Sequence, residues 1–284
     1  MPPTDTASDG SDELETETNG DGERDRNGGA NRDDGTDGDD ESRGDDETPN
    51  ADETDRTVRE ERSLSPMRRT IANRLQESYR NAVHVTASRA VDAEALFRAA
   101  ETANDRLEAD VSLVDVVLAA LSATLAEHPA FNATFEDETH RVYEEHNVGV
   151  AVDIEAGLVT PVLRDVGSKS LAEIATERRR LTETVQSGEY TMDDLRGGTF
   201  TVTNLGVLGV DSFTPVINPP EVAILGIGRV RERPRRSGDG LEFRREVTYD
   251  LSFDHRVVDG ADAARFLETL AEYTERAERF GPDG

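Results

Sequence analysis

Residues 251–260 read LSFDHRVVDG. His255 stands between Asp254 and Arg256, and a second carboxylate, Asp259, follows four residues later. An imidazole with an ordinary pKa of about 6.5 suits a general base near neutral pH. Period-two alternation of Val247, Tyr249, Leu251 and Phe253 marks a strand with those residues toward a core. Continued one step, the alternation points His255 inward, toward a partly desolvated site. Asp259 suits either the N-cap of a following helix or an electrostatic anchor for a nearby arginine. The same pattern also serves a buried, hydrogen-bonded histidine followed by a helix cap, and spacing alone does not separate the two.

A second candidate lies at GGTFTVTNLGVLG, residues 197–209. Glycines 197, 198, 206 and 209 bracket a strand ending in Thr203 and Asn204, and such glycines let a ligand or another backbone approach closely. A hydroxyl at a strand end can donate to a developing oxyanion. The spacing is not that of a phosphate loop. Four other histidines are expected to serve structure or to be solvated. His84 opens a strand. His128 precedes a proline at a helix end and is expected to meet terminal carbonyls, while His140 and His146 flank a charged hairpin and are expected in solvent. No HExxH pair occurs and the chain has no cysteine, so neither a metal site nor a disulfide is expected. Any thiol chemistry must use the thiol of a substrate.

The elements that would carry these residues follow from caps and periodicity. Ser65 as N-cap and Pro66 at the first position open a helix with Met67, Ile71 and Leu75 on one stripe. HVTASRAV, residues 84–91, reads as a strand, and Asp92 can cap a helix carrying Leu96, Ala99, Ala103 and Leu107. Residues 112–129 are apolar nearly all round, with Ser112 and Asp115 at capping-box spacing and Pro129 as the stop, so this helix is expected to be the spine of the core. Short extended pieces come next. NVGVAVDI and LVTPVLRD flank EAG as a hairpin. Ser170 and Glu173 form a second capping box, and Gly188 is placed to end that helix. GGTFTVTNLG, EVAILGIGRVRERP and REVTYDLSF read as strands, and a last helix runs over about 260–279. Strands and helices in no strict βαβ order indicate an α+β or mixed-sheet sandwich.

Charge is unevenly distributed. Of a net −29, residues 1–62 carry −16, from 23 acidic residues against 7 arginines. With no aromatic residue and few aliphatics, that segment is expected to be a disordered acidic tail, leaving residues 63–284 as one folded domain. Lys169 is the only lysine, beside 31 arginines. An acidic surface nearly free of lysine suggests adaptation to concentrated salt, where a Debye length of about 3 Å at 1 M screens carboxylate repulsion. Strong negative charge disfavours nucleic acid as a partner. No apolar run reaches the roughly 18 residues of a membrane span, and no signal pattern opens the chain, so a cytoplasmic location is expected.

Together, FDHRVVDG, GGTFTVTNLG and FTPVINPPEVAILGIG strongly resemble the catalytic domain of dihydrolipoamide acyltransferases, the core components of 2-oxo acid dehydrogenase complexes. SPMRRTIANRL, NVGVAVDIEAGLVTPVLRDV and KSLAEIATE extend the likeness over roughly residues 63–280. The resemblance implies a chloramphenicol acetyltransferase-like mixed-sheet α/β sandwich that forms trimers or larger assemblies. It implies that His255 deprotonates the thiol of coenzyme A, that Thr203 stabilises the tetrahedral oxyanion, and that Asp259 holds the active-site loop through an arginine, with Arg68 as the expected partner. Asn204, Gly206 and Arg68 are then expected at the substrate. In the family the histidine reaches a neighbouring subunit's hydroxyl. The sole lysine falls inside the matched region, so the lipoyl group is expected on a separate carrier protein, with a 2-oxo acid decarboxylase and dihydrolipoamide dehydrogenase as further partners. The alternatives are a non-catalytic scaffold core and an acyltransferase acting on another small acceptor. The acyl group itself is not legible.

Overall fold

Ser65 stays extended while its side chain accepts the Arg68 N–H at 3.2 Å, and Pro66 takes the first helical position. Helix α1 therefore runs Pro66–Asn81. The structure is a computed structural model that describes residues 57–282 apart from 156 and 239. The acidic segment expected over 1–62 lies, up to residue 56, outside the described residues. Along α1, Met67 and Ile71 are half-buried, but Leu75 stays 48% exposed and Tyr79 77%. One chain does not cover this stripe.

After α1 come β1 (His84–Asp92), α2 (Glu94–Arg106) and α3 (Leu113–Glu127). Asp92 ends β1 and Ala93 takes the N-cap of α2, one residue later than expected, while the Asp92 carboxylate still accepts the Glu94 N–H at 2.9 Å. The α3 capping box forms, and Asp115 does more than close it. Fully buried, it also takes the Arg178 guanidinium from the later helix α4 (Leu171–Ser187), with Nη2 at 3.1 Å. Ser170 and Glu173 open α4, and Gly188 ends it in the left-handed conformation at φ 76°. With no polar face to present, α3 is enclosed by α2, α4 and α5 (Gly260–Glu275), and Leu118, Leu121 and Leu125 are inaccessible.

Between these helices run β2 (Ala133–Glu136), β3 (Thr139–Val142), β4 (Val148–Val150), β5 (Val152–Ile154), β6 (Gly157–Val159) and β7 (Val162–Leu163). The expected hairpin over EAG is β5–β6, pairing Val152 with Val159. Then come β8 (Phe200–Asn204), β9 (Ala223–Ile227), β10 (Arg231–Ser237) and β11 (Gly240–Asp254). The main sheet orders β1-β11-β9-β8-β4-β7, with β10 on the far half of β11. β8 runs parallel to β4 and β9, and the other neighbours are antiparallel. This is a mixed sheet carrying helices, as the order of elements predicts.

The structure departs from the sequence expectations at several points. EVAILGIGRVRERP is two strands, because Gly228 passes against the Asp211 backbone where a side chain would not fit, and the chain turns out of register there. The last α-helix stops at Glu275, and a 3-10 turn, Ala277–Phe280, completes the segment. His146 is half-buried rather than solvated. Its Nδ1 lies 2.7 Å from the Ser122 hydroxyl, and burial depresses its pKa, with Asp165 pulling the other way. His140 rests on the Ala130 carbonyl at 3.0 Å, and His128 meets the Thr269 hydroxyl at 2.8 Å rather than helix carbonyls. Each partner is remote in sequence, which local charge patterns do not reveal.

Phe266 of α5 joins the layers. Its ring centroid lies 4.7 Å from Phe131, 5.8 Å from His128 and 6.0 Å from Phe200 of β8. Phe266→Ala should cost about 3–5 kcal/mol, read as a lower denaturant midpoint at unchanged slope. A loss below about 1 kcal/mol would mean that the cavity collapses and the ring is not a central contact.

Candidate active site

Strand β11 is buried on both faces near its end. Tyr249, Leu251 and Phe253 enter the apolar core, while Asp250, Ser252 and Asp254 face the opposite side and are also inaccessible. Each of the three finds partners. Asp250 accepts from Ser88 Oγ at 2.5 Å, Ser212 Oγ at 2.8 Å and the Phe213 N–H at 3.0 Å. Ser252 meets Thr86 at 2.7 Å. Asp254 accepts the backbone N–H groups of Val83 and Arg256 and grips the Arg256 guanidinium, with Nε at 3.0 Å and Nη2 at 2.5 Å. Burial works to raise the Asp254 pKa, but the Arg256 side chain and the two backbone donors outweigh it and hold it below the usual range. Arg256 also lies over the Phe135 ring, at 4.7 Å.

His255 does not continue the alternation. The strand ends at Asp254, whose bonds to Arg256 close a turn, so the imidazole leaves the core and is 39% exposed. Its backbone N–H donates to Val83 O at 2.9 Å, pinning the turn to the start of β1. Asp259 takes the N-cap of α5, and its carboxylate lies 3.7 Å from His255 Nδ1, beyond a good hydrogen bond. At 79% exposure it can bias the ring electrostatically but does not lock it. Among the described residues of one chain, Asp259 and Arg68 do not form the expected pair. Arg68 belongs to α1, and its Nη1 comes within 3.2 Å of where a Cβ on Gly157 would stand, beside the β5–β6 hairpin. Arg256, gripping Asp254, is the arginine that stiffens this loop.

Thr203 is 8% exposed on β8, and its hydroxyl has no hydrogen-bond partner among the described residues. Asn204 accepts the Gly206 N–H at 2.9 Å, an Asx turn that carries the chain off the strand. Gly206 packs on the Gly228 backbone. Both therefore shape the turn beside Thr203.

The structure gathers His255 with Asp259, and Thr203 with Asn204 and Gly206, but it does not bring the two groups together. Thr203 pairs with Gly226 of β9, and Gly226 pairs with Asp250 of β11. His255 lies five residues beyond Asp250, which at strand rise is roughly 16 Å along the sheet and about 10 Å across it. No single thioester reaches both within one chain.

Sequence reading missed Glu221, an acid inside the apolar run PPEVAILG. It is buried, accepting from Thr201 Oγ1 at 2.5 Å and Asn218 Nδ2 at 3.1 Å, while Arg74 of α1 reaches Asn218 and Pro219 O. Burial pushes its pKa up to about 7, with Thr201, Asn218 and the charge of Arg74 opposing. Thr201 lies two residues before Thr203 on the same face, so Glu221 anchors the strand that presents the free hydroxyl. Among the described residues no three histidines or carboxylates group as a metal site, and no helix is long and apolar enough to cross a membrane.

The family model for the 2-oxoacid dehydrogenases acyltransferase catalytic domain matches residues 57–281. A Zymomonas mobilis dihydrolipoyllysine-residue acetyltransferase component of pyruvate dehydrogenase complex is 34% identical over 216 residues, covering 75% of this chain and 49% of the relative. A Haemophilus influenzae succinyltransferase component of 2-oxoglutarate dehydrogenase complex is also 34% identical, over 75% of this chain and 53% of its own. The chain thus spans about half the length of the curated relatives it matches. The structure of Azotobacter vinelandii dihydrolipoamide acetyltransferase superposes with a TM-score of 0.75 at 32% identity, covering 82% of this chain and 98% of that one.

The Glu221 carboxyl gives the site a pH signature. In the unfolded chain it ionises near 4.5, and in the folded chain near 7, so stability falls as pH rises between those values and is level above them. Glu221→Gln should abolish that fall and exceed the parent above pH 7 by on the order of 3 kcal/mol. Denaturant midpoints at pH 5 and pH 8 check this, and an unchanged difference between the two pH values would contradict it.

Proposed function

The chain belongs to the 2-oxoacid dehydrogenase acyltransferase catalytic-domain family, and from that premise we propose that it moves an acyl group between a dihydrolipoyl thiol and coenzyme A. One observation carries the reading. A solvent-facing imidazole and an unpartnered hydroxyl on a nearly buried threonine stand at opposite ends of one sheet, each incomplete without the other. Two copies of the chain, packed so that His255 of one faces Thr203 of the next, would supply both to a single thioester. The exposed apolar residues Leu75, Tyr79 and Val83, the last 54% exposed beside the His255 turn, favour such packing. Closed assembly then gives a homotrimer or a larger body built from trimers.

In this scheme His255 takes the proton of the coenzyme A thiol, and the thiolate attacks the acyl carbonyl of an S-acyl-dihydrolipoyl group. The Thr203 hydroxyl donates to the oxyanion of the tetrahedral intermediate. Collapse breaks the bond to the dihydrolipoyl sulfur, which receives the proton from the His255 imidazolium. Asp259 stands 3.7 Å from Nδ1, and Asp254 with Arg256 holds the turn. The lipoyl group arrives on a separate carrier, and the partners are a 2-oxo acid decarboxylase and dihydrolipoamide dehydrogenase. Acetyl- and succinyl-transferring relatives are equally identical to this chain, so identity does not choose the acyl group.

Transfer from acetyl-, isobutyryl- and succinyl-CoA to dihydrolipoamide, monitored in molar salt, tests the proposal. The parent should use at least one donor. His255→Ala should lose about 10²–10⁴-fold in kcat, and Thr203→Ala about 10²–10³-fold. A parent inert toward all three donors contradicts acyl transfer and favours a scaffold, and an active parent indifferent to His255→Ala contradicts His255 as the base. We further propose that the acidic, lysine-poor surface is built for concentrated salt. The thermal midpoint should rise from dilute buffer to molar KCl, and equal midpoints would refute this.

A further inference from the structure

Asp250 is inaccessible, and among the described residues no arginine or lysine pairs with it. A buried carboxylate without a cation is expensive unless donors surround it. Here three converge from two other segments: the Ser88 hydroxyl of β1, the Ser212 hydroxyl and the Phe213 N–H. A carboxylate accepts all three at once, with both serine hydroxyls on one oxygen and the Phe213 N–H on the other, whereas an amide keeps the N–H only if the two hydroxyls turn to accept and lose it as a shared acceptor.

The segment that Asp250 holds is gripped from the other side as well. Asp211 takes the guanidinium groups of Arg229 and Arg231, and Arg229 N donates to Val210 O at 2.8 Å. Residues 210–213 therefore cannot swing freely. The Phe213 ring lies over Gly226, with Cζ 2.8 Å from where a Cβ would stand, so glycine is needed to seat it. Gly226 is level with Thr203 in the β8–β9 register, and neighbouring strands lie about 4.8 Å apart. The half-buried ring thus flanks the Thr203 hydroxyl.

We propose that Asp250 is a positioning residue whose carboxylate fixes the Ser212–Phe213 backbone, so that the Phe213 ring forms a rigid wall for the acyl group beside Thr203. This role rests on the acyl-transfer reading of the site. In place of Asp250 a neutral side chain would free the ring and blunt discrimination between small and bulky acyl groups.

The test is the ratio of kcat/KM for isobutyryl-CoA to that for acetyl-CoA, measured for the parent, F213A, S212A, D250N and D250N/F213A, with thermal midpoints alongside. F213A should shift the ratio toward the bulkier donor by about tenfold, and D250N should shift it the same way by a smaller factor. In the F213A background D250N should add nothing to the shift. Should D250N fold poorly, S212A removes a single donor and should move the ratio in the same direction. A lowered midpoint with an unmoved ratio, or a D250N shift that persists without Phe213, overturns the proposal. A separate readout needs no turnover. The chain has no tryptophan, so F213W is a single reporter, and adding D250N should move its emission to longer wavelength. If the parent uses no acyl-CoA, the transfer reading fails while the reporter still decides the clamp, and unmoved emission overturns it.

Discussion

A strand buried on both faces cannot leave a polar group unpaired, and β11 carries three such groups in alternation. Between them, Asp250, Ser252 and Asp254 are satisfied by three pieces of the chain: β1 through Ser88 and Thr86, the 212–213 segment, and the turn at Arg256. Sliding β1 by one residue would break the Ser88–Asp250 and Thr86–Ser252 contacts together, because both side chains would change face. Meeting these polar demands fixes the edge strand, the loop after β8 and the turn that presents His255.

Function arises from the groups that this constraint leaves over. Asp254 is occupied by Arg256 and backbone donors, so the histidine after it is turned outward with a ring that makes no hydrogen bond among the described residues. On β8, Thr201 is tied to Glu221 while Thr203, two residues on, has a free hydroxyl. In the proposed reaction the sheet thus holds the base at one end and the oxyanion donor at another, both on rigid supports. Rigid placement is what a site assembled from two copies requires, since neither copy can adjust after docking.

Local chemistry was legible in the residues themselves. Ser65 with Pro66, Ser170 with Glu173, and Gly188 marked helix ends because capping is decided within a few residues. The alternation of β11 named its core face, and the motif around His255 and Thr203 carried the family. What escaped was long-range. Nothing near Asp115 announces Arg178, nothing near His146 announces Ser122, and nothing near Asp250 announces Ser88. Period-two reasoning carried His255 into the core because it could not see that Asp254 and Arg256 close the strand one residue earlier. The pairing of Arg68 with Asp259 is what the resemblance implies, and within one chain Arg68 lies beside the β5–β6 hairpin.

The central claim is that one active site takes His255 from one copy and Thr203 from another. Co-refolding His255→Ala with Thr203→Ala in equal amounts measures it directly. Each variant alone is defective, but random mixing leaves about one interface in four with both groups intact, so activity should return to about a quarter of the parent. Recovery no greater than the sum of the two separate variants would contradict a shared site.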